Sequence, residues 1–201
     1  MNPPAYHRPE KLPTRPFLPD NERQRFRVTF WALEDPSIQM NLDDLGVMHP
    51  KLRGHPVSLA KLAVLALRRA GHTPPIQIWT DNDGRTALGN ITWRSQHMHV
   101  LEMLDRKRVT EEGAEAVALA YVHVTQGWIV KRRLQQDEGA HWLLTNNGRE
   151  LALEVSGMES RNFTGRLALK KLQMLAQCSL RTERLAVVVE FEGPLIVVGA
   201  P

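Results

Sequence analysis

The chain has little cysteine. Its one cysteine, Cys178, excludes an intramolecular disulfide and any zinc site built from several thiolates. It fits a reducing compartment, and late in an expected helix it reads as a small buried apolar residue rather than a nucleophile. Long apolar runs are missing too. None approaches the roughly 18 residues of a membrane span, and the first residues hold no apolar stretch of the kind that makes a signal peptide. There is no Walker A, GxGxxG, GxSxG or HExxH motif. The expectation is a cytoplasmic protein with no membrane partner.

What is present is ordinary in bulk and uneven in detail. The 201 residues allow one large domain or two small ones, and 42% hydrophobic and 24% charged residues suit a globular chain. The net charge is +4, a balance that permits nucleic acid as a partner without requiring it. The basic residues cluster as Arg106-Lys107-Arg108, Lys131-Arg132-Arg133 and Lys170-Lys171. These are the candidate nucleic-acid contacts, and a solvated face is the alternative reading. Trp79, Trp93, Trp128 and Trp142 read as core or hairpin packing.

Composition divides the chain. Residues 1–20 hold six of the 13 prolines and predict an extended arm. Residues 21–108 form an N-terminal α+β region. In it a strand is expected over 25–33, a helix after a Ser58 N-cap with Gly71 as its stop, and a hairpin over 76–93 turning at 81–84. His97 and His99 have the spacing of two ligands on a strand but no companion. From 109 to 201 the order is a helix capped by Thr110 with Glu111 and Glu112 in its first turn, a strand over 128–134, a hairpin, a helix over 166–178, a buried strand over 185–191 and a short apolar tail. A helix joining strand to strand predicts a mixed α/β sheet with a parallel crossover, covered on both faces.

The hairpin over 137–157 is the most informative stretch. Asn147-Gly148 suits a type I′ turn, in which both central residues need positive φ. If those two residues are the whole turn, 146 faces 149, and partners sum to 295. His141 then faces Glu154, with Ser156 two residues further along that face. Trp142, Leu144, Leu151, Leu153 and Val155 share the other face as a core surface. Leu143 and Ala152 on the polar face require a helix to cover part of it. Glu154, within an apolar strand, needs a partner, since an unpaired buried carboxylate is costly.

The helix–three strands–helix–strand order, with LEVSG on the hairpin, resembles the PD-(D/E)XK nuclease superfamily over about residues 110–192. That resemblance implies a restriction-endonuclease-like fold, an Mg²⁺ cofactor and phosphodiester hydrolysis, most simply of DNA. It assigns Glu115 as the helix acid and Glu154 as the acid of the Glu-X-Lys motif. Two positions depart. His141 falls where the family has an Asp, and Ser156 where it has a Lys. Asp137 or Glu138 stands near enough in sequence to be considered for the lost acid. The lysine can come from the next helix, where Lys170, Gln173 and Gln177 share a face. The implied catalytic set is therefore Glu154, Ser156 and Lys170, with Glu115, His141 and Glu154 toward metal. Three functions compete: a DNA-binding or scaffolding subunit with an altered site, an active nuclease with a migrated lysine, and a protein–protein module. Protein partners or a homo-oligomer are expected in the first and last.

Overall fold

The computed structural model describes residues 38–52, 56–94, 104–159 and 163–201. The arm over 1–20, the strand expected over 25–33 and the pair His97 and His99 lie outside the described residues.

Eight strands and four α-helices are present among the described residues. In chain order they are β1 (Ile38–Asn41), α1 (Leu45–Met48), α2 (Pro56–Arg69), β2 (Ile76–Asn82), β3 (Arg85–Thr92), α3 (Arg106–Gln126), β4 (Ile129–Arg133), β5 (Trp142–Asn146), β6 (Arg149–Met158), α4 (Phe163–Gln177), β7 (Glu183–Glu190) and β8 (Leu195–Gly199). All eight strands form one mixed sheet in the order β1-β3-β2-β8-β7-β6-β5-β4. β6 and β7 pair in parallel across the α4 crossover, as the sequence predicts. Residues Leu185 through Glu190 of β7 are all buried. A strand covered on both faces accounts for that near-continuous apolar sequence.

Of the hairpin expected over 137–157, the rungs from Trp142–Leu153 to Asn146–Arg149 form in the expected register, while the 141–154 rung does not form and Gln136–Glu138 is a short 3-10 turn rather than strand. Asn146 pairs Arg149, Leu144 pairs Leu151 and Trp142 pairs Leu153. Asn147 and Gly148 both take positive φ, at 48° and 81°, as a type I′ turn requires. The β2–β3 turn uses Asp83 and Gly84 in the same way.

Two layers cover the sheet. On one face, Trp142, Leu144, Leu153 and Val155 join Val187, Ile196, Ile78 and Ile91 under α2 and α3. α3 is buried nearly all round from Val109 to Val122, as a helix caught between a sheet and a second helix must be. On the other face, Leu143, Ala152 and Ala186 pack beneath Met174 and Cys178, so α4 provides the cover that Leu143 and Ala152 require.

Three expectations are corrected. The expected boundary at 108/109 falls inside α3, and β1 to β3 belong to the same sheet through the parallel β2–β8 pairing. The described residues form one compact unit, because residues from both sides of 108 share one apolar core. Thr110 is not the N-cap of α3. Asp105 takes that place, accepting from the Arg108 backbone N–H at 3.0 Å, so the first turn is basic rather than acidic. α2 begins at Pro56 rather than after Ser58, proline being well suited to a first helical turn.

Candidate functional site

The polar face of β6 ends in a cleft of about 370 Å³, lined by Glu115, Arg133, His141, Ser156 and Lys170 among others. The start of α3 is brought against the end of β6 by Gly157. A Cβ there would collide with the Thr110 carbonyl oxygen, so only glycine permits this approach. α4 crosses the same strand end from the other side of the sheet. The cleft therefore wraps around the end of β6 and draws on both helical layers.

Glu154 lies buried behind the wall that His141 and Lys170 give the cleft, 3% exposed. Lys170 Nζ donates to its Oε1 at 2.6 Å and also to Gln173 Oε1 at 3.2 Å. The His141 ring comes within 3.2 Å of the other oxygen. The 142–153 pair is the last rung of the hairpin, and the His141 backbone N–H turns to the Leu153 carbonyl instead. Nδ1 of His141 also accepts from the Val155 backbone N–H at 3.0 Å. One nitrogen cannot accept from Val155 and donate to Glu154 at once. Burial, opposed by Glu154 and reinforced by Lys170, pushes the His141 pKa down. The ring is accordingly neutral at pH 7, and Lys170 is the cation that matches Glu154.

Ser156, in place of the family lysine, accepts from Arg166 Nε at 2.8 Å. Arg166 and Lys170 lie four residues apart on α4, so both reach the same strand. Sequence reasoning missed Arg166, although its i, i+4 spacing from Lys170 could have found it.

Glu115 lines the other side of the cleft from α3. It is 4% exposed. Its oxygens accept from Arg133 Nη2 at 3.1 Å and from the Trp142 indole N–H at 3.0 Å. The Arg133 guanidinium also lies 5.0 Å from the Trp142 ring centroid, a cation–π distance. A register shift in β4 between Val130 and Arg132 places Arg133 opposite Trp142. That bulge turns Arg133 toward Glu115 and leaves Arg132 to the other side. Burial pushes the Glu115 pKa up to about 7 against the opposing pull of Arg133 and Trp142.

The remaining expected contacts are mostly matched to acids. Arg106 pairs Glu159, Arg108 pairs Glu112, Lys131 pairs Glu150 and Lys171 pairs Asp83. Arg132 forms two hydrogen bonds to Glu138, at 2.6 and 2.7 Å. Lys107 is exposed. Asp137 is exposed and Glu138 is committed to Arg132, so neither replaces the missing acid beside Glu154.

Mg²⁺ prefers octahedral oxygen coordination. Among the described residues no three His, Cys, Asp or Glu side chains are grouped to hold a metal ion. Glu154 and Glu115 each face a cation of this chain, and His141 offers nitrogen rather than oxygen. The donor set does not fit the ion that the family resemblance implies.

Comparison with family models, with characterised proteins and with solved structures finds no match to this chain. Among the described residues, no helix is long and apolar enough to cross a membrane.

Proposed function

We propose that the chain is a nucleic-acid-associated protein of the PD-(D/E)XK nuclease fold whose site has closed on itself and does not cleave. It serves as a DNA-binding or scaffolding subunit of a larger assembly. The order α3, β4, β5, β6, α4, β7, with β6 and β7 parallel, is the arrangement that resemblance calls for. The observation that carries the reading is the pairing of both buried acids: Glu154 with Lys170, and Glu115 with Arg133. A metal-dependent hydrolase needs those carboxylates to bind cations from solution. Here the chain supplies the cations itself.

The paired state of the basic clusters shapes the nucleic-acid side. Arg106, Arg108, Lys131, Arg132 and Lys171 must exchange an acid for a phosphate before they contribute. Binding is therefore weak, with a shallow dependence on salt, because few counterions are released.

The test is direct. Purified protein is incubated with duplex DNA, single-stranded DNA and RNA in Mg²⁺ or Mn²⁺, and binding is followed by anisotropy across a salt series. No cleavage and a salt-weakened complex are expected. The 2.6 Å approach of Lys170 to Glu154 makes an active nuclease with a migrated lysine the rival reading. Metal-dependent cutting that Glu154→Ala abolishes overturns the proposal in favour of that rival. Absence of binding even at low salt overturns it in favour of a protein–protein module.

A further inference from the structure

α4 carries two apolar faces, and among the described residues only the inner one is covered by the chain. The inner face buries Phe163 and Met174, with Cys178 just beyond the helix end. The outer face exposes Leu169, Leu172 and Leu175, at 62%, 61% and 57%. Gly165, Ala168, Ala176 and Ser179 are exposed with them. These positions repeat at three and four residues, the spacing of a seam between helices. They do so on a helix whose opposite side already packs against the sheet.

The stripe reads the same in both directions about Leu172. Positions that sum to 344 match within the helix, Leu169 with Leu175 and Ala168 with Ala176, and Gly165 mirrors Ser179, which lies just past the helix end. A two-fold axis through Leu172 running across an antiparallel helix pair brings these partners face to face. That is the geometry of an isologous contact, in which residue i of one copy meets j of the other and j meets i. The charges agree with it. Every basic residue of α4 is turned toward its own sheet layer or the β2–β3 turn: Arg166 to Ser156, Lys170 to Glu154 and Lys171 to Asp83. In the mirrored register Lys171, at the edge of the stripe, stands opposite Gln173, while Arg166 and Lys170 are turned inward and away from the seam, so no cation opposes a cation. A partner of different sequence has no need of a palindromic stripe.

We infer that the outer face of α4 is a self-association surface, on which a second copy of this chain packs its own α4 antiparallel about Leu172. The contact is small. A 15-residue helix is about 22 Å long, and one helix face falls short of the roughly 800 Å² per partner of a standard interface. The dimer is therefore weak, with a dissociation constant in the micromolar range or above. Because α4 also delivers Lys170 and Arg166, the pairing joins two clefts through one helix pair. The inference stands whether or not those clefts meet nucleic acid.

Sedimentation equilibrium of the full chain from about 1 µM to about 1 mM is expected to show a monomer–dimer transition. Leu172→Glu places two carboxylates on the axis and should weaken the dimer at least about tenfold. Leu172 is exposed, so the thermal midpoint of a dilute sample should stay unchanged. Leu172→Cys tests the register separately: under mild oxidation it should form a covalent dimer faster than Val57→Cys, an equally exposed position at 60%. A chain that stays monomeric over the whole range overturns the proposal and assigns the stripe to a different protein. So does a dimer indifferent to Leu172→Glu, or a Leu172→Cys variant that crosslinks no faster than Val57→Cys.

Discussion

Glu115 lines one side of the cleft, and Glu154 lies buried behind the other, beneath His141 and Lys170. Both are almost wholly excluded from water, at 3% and 4% exposure, and both meet a cation of the same chain. The cations differ. Lys170 is itself mostly buried, its side chain 16% exposed, and it holds Glu154 at 2.6 Å. Arg133 is half in solvent, its side chain 53% exposed, and it reaches Glu115 at 3.1 Å, where the second donor is a neutral indole. A buried cation at short range keeps a buried carboxylate matched in the low-dielectric interior. A solvated one is screened and compensates less. The outcome is visible at Glu115, whose pKa burial drives up to about 7 despite Arg133. Two acids that one family resemblance would assign to a common ion are thus held by separate devices of unequal strength.

The largest effect should come from removing the stronger device. Lys170→Met leaves Glu154 buried beside a neutral histidine, and breaking one side of a buried pair costs about 3–5 kcal/mol. Urea unfolding at pH 7 measures it. Adding Glu154→Gln to that variant removes the orphaned charge and should recover most of the loss, so the two changes are strongly non-additive. If Lys170→Met costs no more than Arg133→Met, the contrast between the two pairs collapses.

How much of this was legible in sequence follows the range of each interaction. Asn147-Gly148 specified the hairpin register, because turn chemistry is local, and with it the approach of His141 to Glu154. Helical spacing put Lys170 and Gln173 on one face, and the structure has Gln173 accepting from Lys170 at 3.2 Å. The bulge at Lys131 carries no such signal. It shifts β4 by one residue and decides which of two adjacent arginines meets Glu115. The union of β1 to β3 with the rest of the sheet was illegible for a similar reason. It depends on β2 pairing with β8, more than a hundred residues away, which strand periodicity cannot specify. Asp105 in place of Thr110 as the cap of α3 was a local choice between two plausible residues. The structure takes the one that brings Thr110 Oγ1 to Glu159 at 2.7 Å.

Glu115 offers the next effect, through pH. Its carboxyl is held protonated in the folded chain between the ordinary 4.5 and about 7, where the unfolded chain has released that proton. The folded state therefore binds more protons in this window, and stability declines as pH rises through it, by about 3 kcal/mol in full. Below 4.5 both states are protonated and the contribution is level. Glu115→Gln should remove this slope while leaving an acceptor for the Trp142 indole. Relative to the parent chain, the variant is expected to gain stability from about pH 5 to about pH 8 in urea unfolding. Parallel curves for the two proteins across that range would show that Glu115 is matched as well as Glu154, and the comparison would fail.

The smallest effect sharpens the contrast most. Arg133→Met removes a half-exposed cation, whose pair is worth about 0–1 kcal/mol by the measure of solvent-accessible ion pairs. The sign of its pH dependence carries the information. At about pH 5 Glu115 is protonated in the fold, and Arg133 faces a neutral acid. At about pH 8 Glu115 is charged, and Arg133 opposes the burial that raises its pKa. Losing Arg133 therefore pushes that pKa higher still, and the stability lost should be near zero on the acid side and concentrated on the alkaline side. An equal loss at both values assigns the contribution of Arg133 to the Trp142 ring, which is 5.0 Å away and does not titrate. In that case Glu115 would be a buried acid held by an indole alone, and its half of the cleft would contain no working ion pair.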